Sequence, residues 1–157
     1  MRLADLEHVI RAAAAVTGLD DLVVVGSQAI LGSAPDAPER LLMSVDADLY
    51  PRDDPSRAID VDGAIGEGSL FFDTFGYHAH GVGPETVVAP EGWQERLVPL
   101  SSENTRGATG WCMEPHDLCL AKAVASRDKD WEFIEAALDA GLVDPSRLLD
   151  LWPTVPL

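Results

Sequence analysis

The sequence predicts an α+β fold, with helices packed on a mixed sheet of about four to five strands. Apolar residues recur at helical spacing at the start of the chain and again after residue 115. Short β-branched or alternating runs occupy much of the stretch between them. The 157 residues are 46% hydrophobic and 24% charged, which fits one globular domain, 1–157. We expect its C-terminal helices, from about residue 115, to pack on the sheet.

The first third of the chain contains the clearest elements. Apolar residues three and four apart predict a first helix that ends at Gly18, since glycine favours helix C-termini. The β-branched run Leu22–Val25 predicts a buried strand. The segments that follow are a Gly26-Ser27 turn, one or two helical turns over 28–31, a loop over 34–40 and a second strand over 43–50 that ends at Pro51.

The remaining elements are predicted to be shorter. Glycines at 63, 66 and 68 weaken any long helix over 57–75, so short helices over 59–66 and 69–75, or loops, are expected. The later segments are strands over 77–82, 94–100 and 110–113, a helix opened by Glu114-Pro115, a helix over 131–140 and a last helix that Asp144 caps and Pro153 ends.

The charge balance limits the classes of partner. A net charge of −16 and a pI near 4.3 repel nucleic acid unless a local basic patch exists, although acidic proteomes give such a balance in many unrelated proteins. The N-terminus lacks a signal-peptide pattern and no apolar run could span a bilayer, so we expect a cytoplasmic protein without membrane contact. Cys112 and Cys119 have no zinc-site spacing and are expected to be reduced core residues.

Two aspartates on the second predicted strand are the strongest candidates for a functional site. Asp46 and Asp48 are two positions apart, so their carboxylates point to the same face of the strand. Carboxylates held side by side repel each other, and a divalent cation such as Mg²⁺ removes that cost. Gly26 and Ser27 end the preceding strand, where a turn leaves room and donors for phosphate oxygens. We expect Gly26 to have a backbone conformation, or to allow a close backbone approach, that a Cβ would obstruct.

A group of cations follows much later in the chain. Lys122, Arg127 and Lys129 are three of only 11 basic residues, and they fall within eight positions. Cations near the aspartate pair could bind a triphosphate, while Lys129 and Asp130 could hold the helix junction or extend the site. The alternative is that Lys122 and Arg127 form surface salt bridges of little energetic value.

These features resemble the nucleotidyltransferase-like superfamily of the DNA polymerase beta type. Gly26-Ser27, followed by Asp46-Ala47-Asp48 on the next strand, matches its Gly-Ser and Asp-x-Asp motifs. Within that superfamily the chain is most similar to small bacterial proteins related to the AbiEii toxins of type IV toxin–antitoxin systems. The blocks that carry this likeness are Val25–Ile30, Ser44–Tyr50, Gly92–Leu97 and Pro115–Asp130.

The resemblance implies a metal-dependent enzyme that moves an NMP from an NTP to an RNA end, a protein hydroxyl or a small molecule. Asp46 and Asp48 would hold Mg²⁺ or Mn²⁺ and act in catalysis together with Lys122. Gly26 and Ser27 would bind the β- and γ-phosphates, and Arg127 would contact the triphosphate with Lys122. A cognate toxin–antitoxin partner protein is also implied.

The chain departs from this family pattern in two places. No third carboxylate is evident, because the third strand offers His78 or His80 where an acid is expected, and Phe133 replaces an acid in the last block. His80 is the candidate third metal ligand, while a general-base role or a hydrogen-bonded structural histidine are the alternatives. The rival hypothesis is therefore a non-catalytic member of the fold that binds partners through its surface.

Overall fold

Residues 1–157 are all described by a computed structural model with one five-stranded sheet. The strands are β1 (Asp21–Val25), β2 (Asp46–Pro51), β3 (His78–Gly81), β4 (Val98–Leu100) and β5 (Thr109–Cys112). They lie in the order β3-β2-β1-β5-β4. β1 runs antiparallel to β2 and parallel to β5, β2 runs parallel to β3, and β4 runs antiparallel to β5. The mixed sheet and its helices confirm the predicted α+β class.

The chain also forms six α-helices. They are α1 (Leu3–Thr17), α2 (Ala58–Ile65), α3 (Leu70–Phe75), α4 (Pro115–Ala125), α5 (Asp128–Asp139) and α6 (Pro145–Leu151). The predicted end signals act as expected, since Gly18 is left-handed after α1 and the Asp144 side chain accepts a hydrogen bond from the Ser146 amide. The segment after β1 forms a 3₁₀ helix over Ser27–Gly32.

The core connects the sheet with both helical ends of the chain. Its 33 buried residues include the apolar face of α1, the β-branched run of β1 and the inner faces of α4 and α5. Helix α1 packs closely over β5, because a Cβ on Gly110 would lie 2.4 Å from the Ile10 Cδ1 atom. Both cysteines are free and buried, as predicted, and burial raises the pKa of each thiol to about 12. None of the six helices has both the length and the apolar character that a membrane-spanning segment needs.

Three predicted element boundaries are wrong, and at each of them a polar group changes where regular structure begins. β2 begins at Asp46 rather than Met43, since the Met1 amine binds the carbonyl groups of Leu42 and Ser44 at 2.6 and 2.8 Å. Helix α5 begins at Asp128 rather than Trp131, because the Asp130 carboxylate caps the Arg127 amide at 3.1 Å.

The predicted fourth strand over 94–100 is reduced to Val98–Leu100. A 3₁₀ turn occupies Trp93–Glu95, and Arg96 leaves the extended conformation. The Arg96 guanidinium donates hydrogen bonds of 2.9 and 2.8 Å to the fully buried carboxylate of Asp117. Satisfying that buried charge takes precedence over continuing the strand.

Candidate active site

An open cavity of about 860 Å³ lies between the ends of β1 and β2 and the α4–α5 junction. Every site residue predicted from the sequence lines it. These residues are Gly26, Ser27, Asp46, Asp48, His80, Lys122 and Arg127. The structure therefore brings together side chains from four separate parts of the chain.

The two aspartates share one face of β2, as the strand period requires. Ala47, between them, is fully buried on the opposite face. The Ser44 hydroxyl hydrogen-bonds the Asp46 carboxylate. The pKa of the Asp48 carboxyl is raised by burial and by the charge of Asp46, and a bond to His80 opposes that rise. The pair thus carries the electrostatic cost that a divalent cation would relieve.

His80 joins this pair through the parallel register of β2 and β3. The register places His80 opposite Asp48, and the His80 Nδ1 atom lies 3.2 Å from the Asp48 Oδ1 atom. One ligand atom from each of Asp46, Asp48 and His80 lies within 4.8 Å of the others. This set of two carboxylates and one imidazole fits a divalent cation.

The alternative histidine lies outside this cluster. His78 is opposite Asp46 in the register, yet its ring packs on Phe72 with centroids 4.5 Å apart. Its Nδ1 atom lies 3.1 Å from the Ala79 carbonyl oxygen. Of the two histidines, His80 is therefore the candidate for the third metal ligand.

Gly26 allows the end of β1 to approach Asp48. Its φ of 73° and ψ of −175° belong to a region that is open almost only to glycine. A Cβ at this position would lie 2.5 Å from the Asp48 Oδ2 atom, so the predicted obstruction is present. The group that this Cβ would meet is the Asp48 carboxylate, so the Gly26 backbone lies directly against the cluster.

Lys122 reaches the Gly26-Ser27 turn from α4. Its ammonium group donates to the Ser27 hydroxyl at 2.8 Å and to Asp130 Oδ1 at 3.5 Å. The side chain is only 11% exposed and lies over the Phe133 ring at 4.5 Å. Burial lowers the pKa of Lys122, and the Asp130 charge opposes that effect. Phe133, which replaces an acid of the family pattern, thus supports the lysine.

Asp130 fixes both cations of the site. Its carboxylate is fully buried and accepts bonds from Arg127 Nε at 2.7 Å and Arg127 Nη2 at 3.2 Å. Burial alone would raise the pKa of Asp130, but the hydrogen bonds from Arg127 and the charge of Lys122 outweigh it and lower that pKa. The same carboxylate accepts a hydrogen bond from the Arg127 amide at 3.1 Å, which fits the predicted role of Asp130 in holding the helix junction.

Two further cations line the cavity. Arg40 and Lys129 join Lys122 and Arg127, so four of the 11 basic residues of this acidic chain face one cavity. Lys129 lies in the basic block that the sequence showed. Arg40 lies in a predicted loop with no distinguishing pattern, and only the fold brings it here.

One residue from each of two blocks of the family likeness serves the fold rather than the cavity. Arg96 from the Gly92–Leu97 block and Asp117 from the Pro115–Asp130 block form the buried ion pair described above. Neither residue lines the cavity. This pair ties the chain before β4 to the start of α4.

Comparison with known proteins supports the resemblance to nucleotidyltransferases at the level of the family. Residues 4–152 match the model of a family described as nucleotidyltransferase of unknown function (DUF6036). No curated protein and no solved structure shows significant similarity to the chain. The match spans every residue of the candidate site, and the chain belongs to the DUF6036 family of nucleotidyltransferases of unknown function.

Proposed function

We propose that this protein is a metal-dependent nucleotidyltransferase that moves an NMP from an NTP to an acceptor in this cavity. The observation that carries the proposal is the convergence of the Asp46–Asp48–His80 cluster and the Ser27–Lys122 pair on one open cavity. Such a cavity brings a cation-binding group and an anion-binding group together, which is what phosphoryl transfer requires.

The metal site would be formed by Asp46, Asp48 and His80, with Mg²⁺ or Mn²⁺ as the ion. Bound there, the ion would neutralise charge on the phosphate oxygens during transfer. Asp46 and Asp48 would hold the ion at a fixed position beside β2. The Ser44 hydroxyl would hold the Asp46 carboxylate in place.

The phosphate groups would lie between the Gly26-Ser27 turn and Arg127. Asp130 occupies the Nε and Nη2 groups of Arg127, which leaves the Nη1 group without a protein partner and free to bind a phosphate oxygen. Lys122 would supply positive charge and hold the Ser27 hydroxyl in position. Charge and positioning account for most of the catalysis in this reaction class.

Part of the cavity wall is apolar. Met43, Val82, Val87 and Val88 line it, and the Met43 side chain is 79% exposed. This wall suits a nucleobase or the apolar part of an acceptor. The acceptor remains one of three classes, namely an RNA end, a protein hydroxyl or a small molecule. By its likeness to the AbiEii-related proteins, we also propose a role within a toxin–antitoxin system, with a cognate protein partner.

The rival function is a non-catalytic binding protein with the same fold, and the histidine at the expected third-carboxylate position favours it. An open cleft onto which both aspartates converge beside Ser27 supports the catalytic function instead. Calorimetric titration with each of the four NTPs, with and without Mg²⁺ or Mn²⁺, separates the two. We expect metal-dependent binding that the double variant Asp46→Asn/Asp48→Asn loses.

The matched control removes two acids elsewhere. Glu67 and Asp73 are both exposed and lie outside the cavity, so Glu67→Gln/Asp73→Asn changes the net charge equally. This control should bind NTP like the wild type. Metal-independent binding, or full binding by the Asp46→Asn/Asp48→Asn protein, would contradict the proposal. A radiolabelled NMP transfer assay then tests catalysis itself.

A further inference from the structure

We propose that the Asp46–Asp48–His80 cluster binds first-row transition-metal ions in preference to Mg²⁺. Mn²⁺ is the ion that probes this preference. This inference rests on the proposed function, since it concerns the metal site of the same cavity. The reason is the third ligand, which is an imidazole nitrogen in this chain rather than a carboxylate oxygen.

The distances suit a shared ion. Two ligands at adjacent corners of an octahedron, with bonds of about 2.1 Å, lie about 3 Å apart. The His80 Nδ1 atom and the Asp48 Oδ1 atom are 3.2 Å apart, which is close to that spacing. All three ligand atoms lie within 4.8 Å of one another. Small rotations of the side chains would therefore complete the cluster.

The backbone holds His80 at this position. Gly81 directly follows it, and the Gly81 amide donates to Asp62 Oδ1 at 2.7 Å. A Cβ on Gly81 would lie 2.1 Å from the Ala58 carbonyl oxygen, so β3 is pressed against α2 there. The His80 side chain is 58% exposed, which leaves room for its ring to turn. The backbone of β3 is therefore fixed, while the His80 side chain can adjust its orientation.

The donor chemistry then decides between ions. Mg²⁺ prefers oxygen ligands in a strict octahedron and keeps several waters. Imidazole nitrogen binds first-row transition metals more strongly, and carboxylates accept Mn²⁺ as readily as Mg²⁺. Two carboxylates with one neutral imidazole also balance a divalent charge. With His80 in place of an acid, the site therefore favours transition-metal ions over Mg²⁺. Its two remaining carboxylates still neutralise a divalent ion.

The test uses Mn²⁺ alone, bound to the intact protein. Electron spin-echo spectroscopy of bound Mn²⁺ detects a directly coordinated ¹⁴N nucleus. We expect that coupling in the wild type and in His78→Asn, which changes the neighbouring histidine outside the cluster, and its loss in His80→Asp and His80→Asn. Calorimetry should show the ratio of Mn²⁺ to Mg²⁺ affinity falling by about tenfold or more from wild type to His80→Asp.

The outcomes separate this inference from the function on which it rests. Bound Mn²⁺ without ¹⁴N coupling, or an unchanged affinity ratio in His80→Asp, overturns the selectivity while leaving the metal site in place. Absence of binding by either ion, with or without NTP, overturns both proposals. Because a third carboxylate adds repulsion, circular dichroism checks the fold of His80→Asp, and the uncharged His80→Asn supplies the ¹⁴N test independently.

Discussion

The Lys122 ammonium group donates a hydrogen bond of 2.8 Å to the Ser27 hydroxyl, although 95 positions separate the two residues. This bond joins α4 to the turn that follows β1. Lys122 is held there by the buried Asp130 carboxylate. The basic helix junction and the predicted phosphate turn are therefore one connected unit.

Removing the Lys122 charge should weaken NTP binding. A hydrogen bond to a charged group contributes about 1.5–3 kcal/mol, so Lys122→Met should bind NTP roughly ten- to a hundredfold more weakly. The loss should shrink as ionic strength rises, because salt screens the interaction. Calorimetry at two salt concentrations measures this. Arg147→Gln, which removes one positive charge outside the cavity, is the control, and an equal loss in both variants would refute the role of Lys122.

Replacing Asp130 should destabilise the fold. Asp130→Asn leaves Lys122 buried without its counter-charge, which should lower the free energy of unfolding by about 3 kcal/mol. This value is the lower end of the range for buried pairs, because Arg127, the other partner of Asp130, is 59% exposed. The folded-state pKa of Asp130 lies below the ordinary value of 3.8. The ionised Asp130 therefore contributes its full stability to the fold above pH 3.8, and this stability is lost as pH falls through the lowered pKa. Urea unfolding from pH 7 to pH 3 should show the difference between wild type and Asp130→Asn shrinking in acid. A difference that stays constant with pH would contradict this.

Asp48→Asn should raise the melting temperature at pH 7. The folded-state pKa of Asp48 is raised above 3.8, so ionising it costs stability as pH rises through that raised value. The gain in the variant should be greatest at neutral pH and vanish below pH 3.8. Thermal melts across pH measure it. Added Mn²⁺ should raise the melting temperature of the wild type but not of Asp48→Asn, and a similar rise in both proteins would argue against the metal site.

Gly26→Ala should weaken NTP binding more than it weakens folding. The new Cβ would push Asp48 out of the cluster, since it meets the Asp48 Oδ2 atom at 2.5 Å. Gly18→Ala is the matched control, because Gly18 also has a positive φ, 71°, but a Cβ there meets nothing within 4 Å. We expect a loss of stability of about 1–2 kcal/mol in the control and unchanged NTP binding. Parallel losses of binding and stability in Gly26→Ala would assign the glycine to packing alone.

The chain should unfold in one cooperative transition, as the single domain expected from its composition requires. The buried cluster runs without a break in packing from Met1 to Val143 and includes both helical ends. Differential scanning calorimetry should give equal calorimetric and van't Hoff enthalpies. Two resolved transitions would show that the C-terminal helices form a separate unit.

The sequence predicted the parts of the fold that obey local rules. Gly18 ends α1 and Asp144 caps α6, because glycine and aspartate satisfy helix ends through their own backbone or side chain. Two of the three wrong boundaries lie where the partner was distant in sequence. β2 starts late because Met1 takes the carbonyls before it, and the fourth strand is shortened where Arg96 turns to Asp117.

The sequence by itself determined that Asp46 and Asp48 share a face, since a strand alternates its side chains with a period of two. It also determined that Gly26 ends a buried strand and that cations cluster around the start of α5. Only the tertiary structure decided that His80 rather than His78 joins the aspartates, that Asp130 holds Lys122 against Ser27, and that Arg40 faces the cavity. Those relationships depend on strand register and helix packing, which are set by contacts between distant segments and leave no periodic pattern in the chain.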